Sequence, residues 1–499
     1  MFEGQPKGLF ALALANTGER FGYYTMLAVF ALFLRANYGL SPALAGTIYS
    51  AFLMFVYFFP LFGGMLADKF GFGKMVTTGI IIMFAGYLLL SVPLGGDSFA
   101  LVVMLAALLL IGFGTGLFKG NLQVMVGDLY NDPKYADKRD SGFSLFYMLI
   151  NVGALFAPTA AIKIMEWAQN SLGYSKADSY HFAFAVACIS VVASILIYYL
   201  GKSTFRQVLT VKKKDTVADA PVEEMSKSET RERIICLCLV FAVVIFFWMA
   251  FHQNGLTLTW FADEFTATSS SGLQSMLFDV TNLVAVIVIV YALFSLFQSK
   301  TSKGKHWEGI IIGVAVAYLI YQYNHLPAET AISAPIFQHF NPCFVVLLTP
   351  VSIALFGWLA KKGKEPKAPV KIGLGMLVAA SAYLLMTVFS FGLPATDHPN
   401  HVAEVTPNLL VSTYLILTFA ELLLSPIGIS FVTKVAPPKY KGMMMGGWFV
   451  ATALGNKLVS IPGHMWDLPL YIVWGTLMAI CLLAALFIFS IIKKLNRVA

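Results

Sequence analysis

Apolar residues in this chain do not alternate with polar ones; they run on in segments of roughly 17–30 residues separated by short polar connectors. A helix rises about 1.5 Å per residue, so each run is long enough to cross a hydrocarbon layer about 30 Å thick. A barrel strand would instead alternate over about 10 residues, and the pattern therefore predicts helices. The runs fall at 8–35, 43–67, 75–95, 98–128, 141–166, 180–200, 234–262, 278–299, 308–325, 334–360, 370–392, 408–433, 442–463 and 468–492. The expected fold class is an all-α polytopic membrane protein with 14 transmembrane helices.

One stretch lacks an apolar run. Residues 202–232, with Lys212, Lys213, Lys214, Glu223 and Glu224, are expected to form a solvated basic linker. It separates an N-terminal six-helix bundle, 1–201, from a C-terminal region, 233–499, that holds eight helices. Two halves of six helices are the plan of major facilitator transporters, so two of the eight are expected to be an inserted pair at about 278–325. That pair is joined by the basic turn Ser299–Lys305 and has almost no polar groups at membrane depth, which predicts a peripheral, lipid-facing position. After the second helix comes Gly63-Gly64-Met65-Leu66-Ala67-Asp68-Lys69-Phe70-Gly71-Phe72-Gly73-Lys74. It resembles the facilitator loop G-x-x-x-D-[RK]-x-G-[RK] with two extra residues, Asp68 being expected to cap a helix end and the glycines to allow a tight turn.

Composition excludes a soluble protein of this length: 58% of residues are hydrophobic and only 12% charged. Lys69, Lys74, Lys134, Lys138, Arg139, the linker, the lysines of 361–371, and Lys493, Lys494 and Arg497 fall in alternate connectors. This bias predicts an even helix number with both termini cytoplasmic, and it accounts for the net charge of +8 without a nucleic-acid partner. No charged region followed by a small-residue cleavage site precedes the first helix, which is therefore expected to be retained. All five cysteines lie in apolar runs without framework spacing, and Cys236 and Cys238 read as small core residues, so no metal or other cofactor is expected.

A charge at bilayer depth costs on the order of +2.5 to +3.5 kcal/mol and marks a protein interior or a watery cavity. Here the candidates are Glu19, Arg20, Lys119, Asn151, His252, Gln253, Glu421 and Lys457. Counting the helical rise from the cytoplasmic ends puts Arg20, Lys119, Asn151 and Glu421 roughly 14–18 Å deep, at one level. Two cations and one anion come from the first half and one anion from the second, so a zwitterion would fit between them. The alternative for Lys119 is a structural pair with Glu19 or Glu421. Tyr23 and Tyr24, three and four residues after Arg20, flank the same turn. Gly112, Gly116 and Gly120 form a small-residue face beside Lys119. Lys457 reads as a lysine snorkelling to the outer surface.

These residues carry a resemblance. Glu19-Arg20-Phe21-Gly22-Tyr23-Tyr24 resembles the first-helix motif E-x-x-E-R-F-x-Y-Y of the proton-dependent oligopeptide transporter family. Gly114–Asn121 is similar to its G-x-G-L-F-K-P-N stretch, with Gly120 in place of Pro, and Phe143–Leu155 to its fifth-helix signature. Asn341-Pro342, Glu421–Gly428 and Met444–Phe449 match in the second half. Asn16 stands where the motif has its first Glu, and His252 where many relatives have Asp. The resemblance implies proton-driven import of di- and tripeptides by alternating access in the cell (inner) membrane. It implies Arg20, Lys119 and Asn151 near the peptide carboxylate, and Asn341 and Glu421 near the amino terminus. Tyr23, Tyr57, Gln253 and Trp448 would line the pocket, while Glu19 and Glu421 would exchange protons. Beside what the resemblance implies, Tyr24 is placed at the same cavity by its spacing from Arg20, and His252, with an ordinary pKa of about 6.5, suits proton exchange, a hydrogen-bonded structural role being its alternative.

The partners expected are thus a small peptide, the lipid bilayer and protons, with the chain acting as a monomer. A facilitator of another small zwitterion or anion, with weak or no proton coupling, is the rival of the same class. A membrane sensor using the linker as its partner site is a second rival. An enzyme is disfavoured because no nucleophile–base pair or metal cluster gathers at one depth.

Overall fold

The computed structural model describes residues 4–209, 225–298, 302–396, 398, 399 and 401–498. In chain order the α-helices are α1 (Lys7–Tyr38), α2 (Pro42–Phe58), α3 (Pro60–Phe70), α4 (Phe72–Ser91), α5 (Ser98–Leu129), α6 (Arg139–Leu172), α7 (Lys176–Gly201), α8 (Lys227–Phe251) and α9 (Thr257–Glu264). They continue as α10 (Val280–Gln298), α11 (Ser302–Asn324), α12 (Phe340–Lys361), α13 (Ala368–Phe389), α14 (Pro407–Val435), α15 (Lys441–Leu458), α16 (Ser460–His464), α17 (Leu470–Ser490) and α18 (Ile492–Val498). Among the described residues, 11 spans are long and apolar enough to cross a membrane. The long helices α1, α11 and α15 fall outside that set; α1 carries Glu19 and Arg20 in its middle, α11 has its charges in its first turns and α15 has a lysine near each end.

Three expected helices are broken. Proline has no N–H to give an interior helical bond but fits a first turn, so the run 43–67 divides at Phe59 and α3 starts on Pro60. The run 234–262 divides at a 3₁₀ turn, His252–Gly255, between α8 and α9. The run 442–463 divides at Val459 between α15 and α16.

Ends are set locally. Gly39 closes α1 at φ 60°, and Gly71 turns the chain between α3 and α4 at φ 96°, where other residues would be strained. Asp97, Ser175 and Ser226 cap α5, α7 and α8 through their side chains. Asp68, expected to cap a helix end, lies exposed in the last turn of α3, and the capping residue both of that end and of the start of α4 is Gly71.

The ends of the expected linker are folded. Residues 202–208 form two 3₁₀ turns that bury Phe205 and Val208, and residues 227–232 belong to α8. The rest of the linker, including Lys212, Lys213, Lys214, Glu223 and Glu224, lies outside the described residues, as does Lys300 of the 299–305 turn.

In the first part of the chain α1 packs on α6 and α7, and α5 on α2, α3 and α4. In the second, α8 packs on α15 and α17, and α13 on α14 and α17. The two parts meet where α2 lies on α15 and α16 and where α6 lies on α12. Helix packing in lipid depends on close backbone approach, and a Cβ on Gly63 would come within 2.1 Å of the Gly116 carbonyl oxygen. The small-residue face of α5 is thus in tight contact at Gly116, whereas Gly112 and Gly120 meet their neighbours at ordinary distances. Helices α10 and α11 pack mainly on each other, and Ala315 is the buried residue of α11. Beside them, β1 (Ser269–Ser270) and β2 (Thr330–Ala331) pair antiparallel, with Ser269 opposite Ala331.

Candidate functional site

A cavity of about 290 Å³ lies where helices from the two parts of the chain face each other. Arg20, Tyr23 and Tyr24 reach it from α1, Tyr57 from α2, Lys119 from α5 and Asn151 from α6. His252 comes from the turn after α8, Asn341 from α12, Glu421 from α14 and Trp448 from α15. Residues up to 428 positions apart in sequence thus share one wall, because each was a polar or aromatic interruption of an apolar helix. Trp448 is seated by Gly428, where a Cβ would meet the indole at 2.2 Å.

Arg20 and Glu19 form a buried pair. Arg20 Nε donates to Glu19 Oε2 at 2.5 Å and Nη2 donates to Oε1 at 2.6 Å, with the two side chains 3% and 0% exposed. The guanidinium also lies 4.5 Å from the Tyr23 ring centroid. Two bonds in a dry setting compensate the desolvation of both charges, which one would not. The anion expected to face Lys119 is therefore taken up by Arg20, and Glu19 does not line the cavity.

Lys119 has no carboxylate partner among the described ion pairs. Its Nζ lies 4.5 Å from the centroid of Tyr57, a cation–π contact. Glu421 is held from the other part of the chain: Asn341 Nδ2 donates to its Oε2 at 3.0 Å and to Thr418 Oγ1 at 3.1 Å. One unpaired cation and one singly bonded carboxylate thus face the same space. Asn151 also lines it, its Nδ2 donating to the Tyr147 carbonyl at 3.0 Å.

His252 stacks on Trp248 with ring centroids 5.1 Å apart and lies 6.1 Å from Tyr57. Its Nδ1 is 2.6 Å from Asn456 Oδ1. Gln253 does not line the cavity, contrary to expectation. It is fully buried, its Nε2 donating to the carbonyls of Met249 and Val459 and its Oε1 accepting from Thr257 Oγ1. The 3₁₀ turn starting at His252 sends neighbouring side chains in different directions, and Gln253 points into the packing. Lys457 does not snorkel outward either; its Nζ lies 3.5 Å from Ser50 Oγ on α2.

Other cavity residues escaped the sequence reading: Gln123 on α5, Tyr147 on α6, Asn254, Gln338, and Phe449 and Thr452 on α15. Gln123 is one turn beyond Lys119 and Tyr147 one turn before Asn151, so helical spacing from the charged residues was their available signal.

At the end of the bundle where α1 finishes, the two parts are tied together. Arg35 is paired with Glu264, whose Oε2 also accepts from Trp466 Nε1 and Thr396 Oγ1, each at 2.9 Å. Trp260 Nε1 donates to the Ala31 carbonyl at 3.2 Å, and Gln338 Nε2 to that of Ala28 at 3.1 Å. Among the described residues no group of three or more His, Cys, Asp or Glu side chains is arranged to hold a metal ion.

A multi-pass helical membrane protein whose two parts face each other across an internal cavity lined by groups of opposite charge, Lys119 and Glu421, is a transporter of small solutes. Comparison with known proteins gives the particular kind: the POT family model matches residues 73–220 and 319–468, and the chain belongs to the POT family. It is 30% identical to an uncharacterized transporter of Bacillus subtilis, over 95% of this chain and 91% of the relative. It is 27% identical to the di-/tripeptide transporter of Lactococcus lactis subsp. lactis, over 92% and 89% of the two chains. Among solved structures, a peptide transporter POT in complex with sulfate superposes with a TM-score of 0.74 at 24% identity, covering 100% of this chain and 96% of the other. A POT family transporter in complex with 5-aminolevulinic acid gives a TM-score of 0.75 at 21% identity, covering 99% and 98%. The helical fold is that of these transporters.

Proposed function

We propose that this protein imports di- and tripeptides together with protons, by alternating access across the cell (inner) membrane. The observation that carries the reading is the pairing, in one cavity, of the Lys119 ammonium, without an ion-pair partner among the described residues, with the Glu421 carboxylate held by Asn341. A peptide is a zwitterion at neutral pH. Its carboxylate is attracted to Lys119 and its ammonium to Glu421, with Asn151 beside the first and Asn341 beside the second. Tyr23, Tyr24, Tyr57 and Trp448 supply walls with both apolar surface and hydrogen-bonding capacity. Relatives named as di-/tripeptide transporters support the same substrate class.

Arg20 enters through Glu19. While Glu19 is ionised it occupies two donors of the guanidinium. Protonation of Glu19 removes the charge that holds Arg20 and frees it for the substrate carboxylate, so proton and peptide favour the same rearrangement. Glu421 and His252 are the further proton-exchanging groups on the cavity wall, and Asn16 supplies no carboxylate one turn earlier.

The architecture we propose is two six-helix bundles, 1–201 and 233–499, joined by the linker 202–232, with α10 and α11 as the extra pair in a total of 14 transmembrane helices. Both termini are cytoplasmic by the basic bias of the connectors. The ties at the Arg35–Glu264 end then correspond to a state closed to the outside. The cavity is built from one chain, so a monomer suffices for transport.

The test is uptake of labelled dialanine by the purified protein in liposomes. Accumulation under an inside-alkaline gradient that collapses with a protonophore supports proton-driven import; exchange without accumulation supports an uncoupled facilitator; no uptake overturns both. A second reading, a carrier of a small non-peptide zwitterion, is favoured by the relative solved with 5-aminolevulinic acid. Competition between that compound and dialanine separates the two.

A further inference from the structure

The bonds around His252 extend past the cavity wall. Asn456, fully buried on α15, faces the imidazole on one side and α2 on the other: its Oδ1 lies 2.6 Å from His252 Nδ1, and its Nδ2 donates to the Leu53 carbonyl at 3.4 Å. The backbone carbonyl of Leu53 can only accept, so it fixes the orientation of the amide, with Nδ2 toward Leu53 and Oδ1 toward His252. An amide oxygen can only accept too. The hydrogen on His252 is therefore on Nδ1, and Nε2 is the nitrogen left to take up a proton.

We propose that Asn456 is a positioning residue of the transport cycle: it fixes the tautomer of His252 and converts proton uptake at Nε2 into a stronger tie between α8, α15 and α2. The proposal rests on the transport reading given above.

Chemistry supports the direction. A proton added at Nε2 leaves Nδ1–H in place and makes its bond to Asn456 charge-assisted. Polarisation of the amide then strengthens Nδ2–H toward Leu53, since bonds in a dry chain reinforce one another. The bond crosses from the second part of the chain to the first, so its strength bears on how firmly the two parts stay together. Local packing holds it in register: α15 lies so close to α8 at Gly455 that a Cβ there would meet the Ile245 carbonyl oxygen at 2.4 Å. One residue beyond Asn456, Lys457 reaches Ser50 of the same α2 helix.

Other charged and titratable groups set the order of events. Lys119 on α5 and Arg20 on α1 share the cavity with His252, as does Glu421 on α14; Tyr57 on α2 lies against the ring, and Lys457 on α15 neighbours Asn456. With Glu19 offsetting Arg20, Lys119 is the cation that opposes a second positive charge at His252. A carboxylate bound at Lys119 removes that opposition, so peptide arrives first and the proton follows.

The test is the pH profile of dialanine uptake in proteoliposomes carrying wild type, Asn456→Asp or Asn456→Leu. Aspartate keeps an acceptor and adds a negative charge, while leucine keeps the volume and removes the acceptor. The expected result is a pH midpoint about one unit higher for N456D and about one unit lower for N456L, both shifts vanishing in a His252→Gln background. Midpoints that stay put, or shifts that persist without His252, overturn the proposal. Wild type that takes up no dialanine would instead overturn the transport reading. The relay is then decided by pH titration of Trp248 fluorescence, taken as the difference from Trp248→Phe, because an imidazolium stacked on an indole quenches it. A quenching midpoint that moves in opposite directions in N456D and N456L supports the relay, and one that does not move overturns it. N456D also serves if N456L fails to fold.

Discussion

The Lys119 ammonium is held over the Tyr57 ring, 4.5 Å from its centroid, and not by a carboxylate. A ring face orients a cation without neutralising it, so the charge stays available to a ligand. Such a contact is worth about 0.5–2 kcal/mol. Tyr57→Phe keeps the ring and is expected to leave KM for dialanine within about twofold, whereas Tyr57→Leu is expected to raise KM roughly 3–30-fold. Initial-rate uptake over a substrate series checks this, and equal effects of the two substitutions would deny the contact a role.

The Glu19–Arg20 pair carries a different expectation, because both side chains are buried. Removing one member of a buried pair leaves an uncompensated charge, at a cost of about 3–5 kcal/mol. Glu19→Gln is therefore expected to lower the melting temperature of the detergent-purified protein by roughly 5 °C. The double substitution Glu19→Gln with Arg20→Met is expected to recover part of the loss. Lys119→Ala, which strands no partner, is expected to change it little.

Glu264 gathers Arg35, Trp466 and Thr396 at the end of the bundle where α1 finishes. Glu264→Ala removes all of these ties together and is expected to shift the protein toward opening at that end. A cysteine at position 28, buried in the wild type, reports the change in a chain whose five native cysteines are replaced. Its alkylation by a membrane-impermeant reagent is expected to rise about tenfold in the Glu264→Ala background, corresponding to about 1.4 kcal/mol of population shift. An unchanged rate would mean that the cluster does not hold the end shut.

Close helix approach gives a further test. A side chain at Gly63 would collide with the backbone of α5 at Gly116, and neither backbone can yield as a flexible side chain would. Gly63→Val is expected to reduce the folded yield and melting temperature. Gly64→Val, where no atom lies within 4 Å of the added carbon, is expected to be tolerated.

The sequence made the charged half of the site readable for a physical reason. Arg20, Lys119 and Glu421 interrupt apolar helices, and a charge survives there only beside a cavity or a partner. What it left open is direction. Glu19 and Arg20 are adjacent, so their side chains leave the helix about 100° apart, and the text alone does not say that one reaches the cavity while the other folds back to bind it. His252 and Gln253 present the same problem at a point where the helix changes to a 3₁₀ turn, which is why Gln253 was expected in the wall and is found in the packing. The break at Pro60 was hidden because the apolar run continues through it. Glu264 passed unnoticed because it sits just past a predicted span, and its partners come from α1, from Thr396 and His401, and from the segment after α16, which only the folded chain brings together.

The central claim is that Lys119 and Glu421 hold the two ends of a zwitterionic peptide. The most direct measurement is a cycle of binding affinities for dialanine, its C-terminal amide and its N-acetyl form, on wild type, Lys119→Ala and Glu421→Gln. A hydrogen bond to a charged group is worth about 1.5–3 kcal/mol, so each blocked ligand is expected to bind wild type roughly 10–100-fold more weakly than dialanine. The amide penalty is expected to vanish in Lys119→Ala and the acetyl penalty in Glu421→Gln, each variant keeping the other. Penalties that persist unchanged in both variants would contradict the account.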